Sequence, residues 1–384
     1  MTDWNTMKCN FNFPTSIRFG KDVIFELAPH LKEQGLKHVL LVSDPGMLKL
    51  PVFQSVVDSL TKADLKVSVF SEIAKNPVKS NVLNGVALYQ KSGCDCVVGF
   101  GGGASMDVAR AIVLKVNHPL DLFAYDDAIG GDRFVTNEVP YFVTVPTTSG
   151  TGSEVGRSTV IADDVTHEKK ILFAPKLLAK KVFVDPALSL QLPPFITAAT
   201  GIDALTHNVE AYLSKGFSPL CDGIALEGIR LIAESLERAT NRPDLESRSK
   251  MAMASLMGAT AFQKGLGVVH SLAHPLSTVM DMHHGLANAI MIPFGLEFNA
   301  EGSEERFKNM AEVCQLSDTS PRSFIQFIRD LNQEIGIPAT LGSQKVGKEH
   351  LDKLADLAIK DPCHASNPRT VTREDFHRLY SKAL

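Results

Sequence analysis

The stretch from Thr200 to Ala289 limits what this chain can become more than any other part of it. It opens with GIDALTHNVEAY and later resumes as GVVHSLAHPLSTVMDMHHGLANAI. Apolar residues in the first piece recur with the 3.6-residue period of a helix, so Asp203 and His207, four apart, project from one helix face. His270 and His274 repeat that spacing, and His284 follows a bend at Pro275 and a short link that can fold back. One carboxylate and three imidazoles, drawn from two helices and a loop, make an N3O donor set for a divalent transition metal. The plainer use of a histidine on an apolar helix face is a core residue bonded to a neighbour. Yet five of the chain's twelve His fall in these two pieces, where unpaired imidazoles would be costly, and that concentration favours a shared purpose.

The N-terminal half has a different grammar. KHVLLVSDPGML reads as a strand running into a Ser-Asp-Pro-Gly loop, PVFQSVVDSLTKADL as a helix, KVSVFSEI as a strand and SNVLNGVALYQKSG as a helix. CDCVVGFGGGASMDVARAIVL is then a buried strand that breaks into glycines and re-emerges as a helix. This alternation predicts a parallel sheet covered on both faces, with ligands beyond the carboxyl ends of its strands. Gly101, Gly102 and Gly103 stand at the strand-to-helix junction, where bare backbone and helix-start N–H groups can meet a pyrophosphate. Gly99, Gly101 and Ala104 also spell GxGxxA, but the candidate acid, Asp44, precedes the glycines, so this is not the usual dinucleotide fingerprint. A tight structural turn is the plainer reading. Asp44 either accepts bonds from ribose hydroxyls, favouring NAD over NADP by repelling a 2′-phosphate, or closes an Asx turn before Pro45.

After VFVDPALSLQLPPF the chain reads as helix after helix. The expected architecture is a Rossmann-like α/β N-terminal domain over residues 1–190 and an all-α C-terminal domain over residues 191–384, with the active site in the cleft between them. Charged residues make up 21% of the chain, the formal net charge is −4 and no block of like charge stands out, which argues against nucleic acid or a membrane surface as partner. The start, MTDWNTMKCNFNF, lacks a signal-peptide pattern, and no apolar run has the length of a membrane span. Six Cys are scattered, with Cys94 and Cys96 in CxC spacing, so reduced thiols in a cytoplasmic chain are expected.

GGGASMDVAR, PTTSGTGSEV, GIDALTH, HSLAHPL and HHGLANA occur here in an order that resembles the iron-containing (group III) alcohol dehydrogenases, and the likeness runs from FPTSIRFG to NPRTVTREDFHRLY. The resemblance implies that Asp203, His207, His270 and His284 bind one divalent metal, Fe(II) or Zn(II), while His274 lies beside it near substrate and nicotinamide. It assigns the loop residues Ser105 and Asp107, the wall Thr147, Thr148 and Ser149, Asn76 of KNPV and Lys170 of HEKKIL to the nicotinamide cofactor. A solvated surface lysine is the alternative for Lys170. His283 is read as a neighbour of the last ligand or a surface residue. Cys363, His364 and Asn367 of DPCHASNPRT line the cleft or cap a loop. Arg157, after TGSEV, borders the substrate pocket, where relatives acting on neutral alcohols tend to carry a neutral residue. It either forms a two-pronged pair with a substrate carboxylate or pairs with a structural acid such as Glu154. A homodimer or larger homo-oligomer is also implied.

The expected activity is reversible hydride transfer between NAD(H) and the terminal primary alcohol of a small substrate, an ω-hydroxy acid or a sugar acid such as 3-deoxy-octulosonate, with His274 relaying the proton. Neutral short-chain alcohols or diols are the alternative substrates. A dehydroquinate-synthase-like lyase and a non-catalytic NAD- or metal-binding protein are the alternatives of another class.

Overall fold

A computed structural model describes residues 15–74 and 76–384. The N-terminal stretch expected to lack a signal pattern, Cys9, and the first two residues of FPTSIRFG lie outside the described residues. The chain divides into two compact units, one built from residues 15–148 with Gly152–Gln191, the other from Ser149–Thr151 with Leu192–Leu384.

The first unit holds strands β1 (Ser16–Phe19), β2 (His38–Val42), β3 (Lys66–Phe70), β4 (Cys96–Gly101), β5 (Tyr141–Pro146), β6 (Ser158–Ala162), β7 (Lys169–Phe173) and β8 (Lys181–Val184). Six of them form a sheet in the order β1-β8-β5-β4-β2-β3. Every neighbouring pair in it is parallel. Burial on both faces explains why the central strands read as unbroken apolar runs rather than alternating ones. Helices α1 (Leu27–Glu33), α2 (Pro51–Lys62), α3 (Lys79–Ser92) and α4 (Gly103–Val116) connect the strands. Pro51 opens α2, where a missing N–H is harmless, and Gly93, at φ 69°, ends α3 in the left-handed conformation. β6 and β7 make a separate antiparallel ribbon. The sequence pattern of alternating strands and helices does not single it out, because β7 is partly exposed along its length and the two strands are joined by a polar loop.

The strand order reverses between β2 and β4: one crossover leads outward to β3, and the next returns to the other side of β2. That crevice, beyond the carboxyl ends of β2 and β4, is where open α/β sheets take their ligands. Asp44 follows the first of these strands and Gly101 ends the second.

The second unit holds α5 (Pro194–Leu213), α6 (Pro219–Asn241), α7 (Leu245–Ala261), α8 (Val268–Met280), α9 (His284–Asn299), α10 (Glu304–Val313), α11 (Pro321–Glu334), α12 (Leu351–Ala358) and α13 (Arg373–Ala383). From Thr197 onward α5 is buried on every side, which is why its apolar stripe is so broad, and it packs against α6, α7 and α9. Gly285 lets α9 approach it: a Cβ there would lie 2.4 Å from the Ala199 carbonyl oxygen.

Two local expectations are corrected. Pro275 does not end the helix but lies inside α8, which runs on to Met280 and stops where Asp281 turns left-handed at φ 50°. His284 is not on a loop either; it is the first residue of α9, so three helices supply the cluster. Among the described residues no helix is long and apolar enough to cross a membrane.

Candidate metal centre and nucleotide loops

Within the helical unit, α5 contributes Asp203 and His207, α8 contributes His270, and α9 contributes His284. One nitrogen or oxygen from each lies within 4.8 Å of the other three. The rings of His207 and His270 stack at 4.7 Å, those of His270 and His284 lie 5.5 Å apart, and His284 Nε2 is 3.3 Å from Asp203 Oδ1. Asp203, His207 and His270 are buried.

The electrostatics suit a cation. Burial pushes His207 down to about 4 and His270 down to about 3, so both are neutral at ordinary pH. Burial works against the Asp203 carboxylate, but its interactions with the His207 and His284 imidazoles favour the ionised form, outweigh burial and hold its pKa below the usual carboxyl range. Nδ1 of His207 is 3.3 Å from the Gly150 carbonyl oxygen, and Nδ1 of His270 is 2.6 Å from Glu210 Oε2. Each ring therefore donates at Nδ1 and keeps its lone pair at Nε2. Asn288 Nδ2 donates to Asp203 Oδ1 at 2.7 Å and lies 3.1 and 3.4 Å from Nε2 of His284 and His270. Converging lone pairs beside an ionised carboxylate fit a divalent ion bound by three nitrogens and an oxygen.

His274 belongs to a neighbouring group with Asp361 and Cys363. Its Nδ1 is 2.6 Å from Asp361 Oδ2, and its ring stacks on His284 at 5.3 Å. Asp361 also accepts from Ser271 Oγ and the Cys363 backbone N–H. Burial raises its pKa, but the bond and charge of His274 prevail and hold it below the usual carboxyl range. Burial holds the Cys363 thiol well above its ordinary value, so it is no nucleophile.

In the α/β unit the glycine loop turns on Gly101, at φ 152°, where a Cβ would lie 2.5 Å from Ser105 Oγ and 3.2 Å from Asp44 Oδ2. Asp44 Oδ1 accepts from Gly46 N at 2.9 Å and Met47 N at 3.1 Å, an Asx turn, while Oδ2 is 3.4 Å from Ser105 Oγ. Thr147 N donates to the Gly101 carbonyl, and Thr148 faces Gly102. Ser149 falls in the helical unit together with Gly150, the partner of His207. Asn76 is half-buried shortly before α3.

Residues 14–186 match the model of the family described as iron-containing alcohol dehydrogenase, and residues 197–384 match the Fe-containing alcohol dehydrogenase family, C-terminal. The chain belongs to the iron-containing alcohol dehydrogenase family. It is therefore an enzyme, an oxidoreductase of the alcohol dehydrogenase kind. A 4-hydroxybutyrate dehydrogenase of Cupriavidus necator is 37% identical over 361 residues, which is 91% of this chain and 93% of the relative. The crystal structure of a 1,3-propanediol oxidoreductase superposes with a TM-score of 0.94 at 34% identity, covering 98% of this chain and all of that one. That of sulfoacetaldehyde reductase from Bifidobacterium kashiwanohense in complex with NAD+ gives 0.88 at 26% identity, covering 98% of this chain and 99% of that one.

Within this alcohol dehydrogenase some side chains named from sequence serve the fold. Asp107 accepts from Ser153 Oγ at 2.7 Å and from Val160 N at 3.1 Å, and braces the fully buried Arg110 at 3.5 Å. Both of its oxygens have partners within the protein. Lys170 is bound to Glu168 at 2.7 Å and lies 3.7 Å from Asp126, which matches the surface-lysine alternative more closely than a free ammonium. Asn367 is buried and caps α8 by accepting from Val268 N, and His364 N donates to Ser271 Oγ. Arg157 is half-buried against the Phe173 ring, 5.5 Å from its centroid, and among the described residues no ion pair joins it to Glu154 or to any other acid. Glu154 instead stays buried, with Oε2 lacking a partner and its carboxyl pushed up to about 7 by burial.

Sequence reasoning missed Glu210, Asn288 and Asp361. The first two carry a local signal: Glu210 continues the face of Asp203 and His207, and Asn288 lies one turn after His284. Asp361 meets His274 from across the sequence, so nothing local marks it.

Proposed function

We propose that this chain transfers a hydride between NAD(H) and the terminal carbon of a small primary alcohol or aldehyde that carries a carboxylate. The observation that carries the reading is the Asp203, His207, His270 and His284 cluster, in which burial keeps His207 and His270 neutral beside an ionised Asp203. Those four side chains would hold Fe(II) or Zn(II), for which an N3O set is equally suited. A bound ion of this kind supplies a Lewis acid that polarises the substrate oxygen.

The protein groups then have separate tasks. Asp361 fixes His274 through Nδ1, so Nε2 is the atom that takes the hydroxyl proton in oxidation and returns it in reduction. Backbone N–H groups at the start of α4 face the cofactor pyrophosphate. Oδ2 of Asp44, outside the Asx turn, accepts from the adenosine ribose and repels a 2′-phosphate, which favours NAD over NADP. Support for an acidic substrate comes from Arg157, a cation without an acidic partner among the described residues, and from the likeness to a 4-hydroxybutyrate dehydrogenase. The likeness to a 1,3-propanediol oxidoreductase keeps a neutral diol as the second reading.

The test is a panel of carboxylated and neutral aldehydes with NADH and the ion-loaded enzyme, repeated with Arg157→Ala. Expected is a rise in KM of roughly tenfold to a hundredfold for the carboxylated substrates only, the worth of one charged hydrogen-bonded pair. An equal change for both classes would favour the diol.

A further inference from the structure

We propose that Glu210 is a positioning residue for the reaction: its carboxylate holds His270 as the Nδ1–H tautomer and so aims the Nε2 lone pair at the Asp203-centred cluster. This rests on the metal reading above.

Glu210 lies one turn beyond His207 on α5, buried together with His270. Its Oε2 receives Nδ1 of His270 at 2.6 Å, and also the backbone N–H groups of His270 at 3.3 Å and Gly267 at 3.1 Å. Its Oε1 receives the N–H of Val269 at 2.6 Å. The remaining free N–H at this end of α8, that of Val268, goes to Asn367 Oδ1 at 3.1 Å. The four N–H groups a helix leaves unsatisfied at its start are therefore all paired, three of them by one side chain. The backbone bonds immobilise the carboxylate, and the immobile carboxylate fixes the ring. A Cβ on Gly267 would lie 2.9 Å from Oε1, so the site is closed tightly around the acid.

Asn288 reports the same tautomer from the opposite side of the ring. An ionised carboxylate only accepts, so the Asn288 atom 2.7 Å from Asp203 Oδ1 must be the NH2 nitrogen. That nitrogen is also 3.4 Å from His270 Nε2, a placement that suits a lone pair there rather than a second hydrogen. An acceptor thus faces Nδ1 and a donor faces Nε2, the pattern that a neutral imidazole with a bare Nε2 satisfies. A carboxylate behind a ligating imidazole fixes its orientation and raises its basicity. Glu210 does so from the helix that also carries Asp203 and His207, so one rigid element sets three of the four donors.

Glutamine at position 210 keeps the size but replaces one acceptor by a donor, which opposes either Val269 N–H or the His270 ring. The test uses the full chain labelled with 15N-histidine, with His270 assigned by loss of its signals in His270→Asn. In metal-free wild type the His270 nitrogens should show Nδ1 protonated and Nε2 bare. Glu210→Gln should mix the tautomers and weaken uptake of Zn(II), the air-stable probe, by about 10- to 100-fold in competition with a chelator. Both readouts are taken well below the melting temperature, since a purely structural cap would lower the melting point and leave them unchanged. Wild-type His270 protonated at Nε2, or Glu210→Gln binding Zn(II) within twofold of wild type, would overturn the role of Glu210. The wild-type tautomer decides the question even if the variant does not fold. Wild type that takes up no more Zn(II) than Asp203→Ala would sink the ion site instead, and the two failures are thereby distinct.

Discussion

The helical unit and the α/β unit present their candidate ligand groups in opposite ways. Around Asp203 the side chains themselves converge, each fixed from behind: His207 by the Gly150 carbonyl, His270 by Glu210, His274 by Asp361. Around Gly101 the side chains largely bond to one another and leave the backbone open. Asp44 closes a turn, Asp107 braces Arg110, and Lys170 pairs with Glu168. The difference follows from the ligands these arrangements suit. A small cation needs several donor atoms at one point, which only side chains from different helices can supply. A pyrophosphate is met by N–H groups at a helix start, which any sequence provides once side chains are kept away.

The contrast can be broken at its strongest point first. Asp203→Ala should abolish ion uptake and lower kcat/KM by roughly 10³-fold or more, the rate equivalent of several kcal/mol of charge stabilisation, as read by atomic spectroscopy and NADH turnover. Asp107→Ala, in the other unit, should strand the buried Arg110 and lose about 3 kcal/mol of stability, lowering the melting temperature by several degrees while KM for NAD stays within twofold. A large rise in KM there would return Asp107 to the cofactor. Gly101→Ala should crowd Ser105 and Asp44, cost about 1–3 kcal/mol of backbone strain and raise KM for NAD roughly tenfold, with ion content unchanged.

The smallest effect concerns pH. The Glu154 carboxyl is raised by burial from 4.5 to about 7, so the fold favours its protonated form. Its contribution is fully present below about 4.5 and is lost as pH rises toward 7. Glu154→Gln should therefore flatten the decline of melting temperature between pH 5 and 8 in a thermal-shift series.

The same contrast governs what could be read from sequence. The parallel sheet was legible because β2 and β4 are unbroken apolar runs, and the helical unit because α5, α6 and α7 keep one period over many residues. Asp203, His207 and His270 were legible because i,i+4 spacing is itself geometry. The sequence reads as a loop at His284 because nothing in HHG announces a helix that starts on a histidine. The link expected after Pro275 begins later for a related reason: proline weakens a helix locally, yet α8 continues through it to Met280. The partners of Asp107 and Lys170 within the protein were not legible, because motif position does not reveal which partner a charge will find after folding. Asp361 and the β6–β7 ribbon depend on contacts that no local spacing encodes.

The most direct measurement is ion titration of chelator-stripped enzyme, with NADH oxidation by an aldehyde followed in the same samples. One Fe(II) or Zn(II) per chain should bind, and turnover should return in proportion to occupancy. Full turnover by the stripped protein, or saturation without any return of turnover, would contradict the reading of Asp203, His207, His270 and His284 as one catalytic ion site.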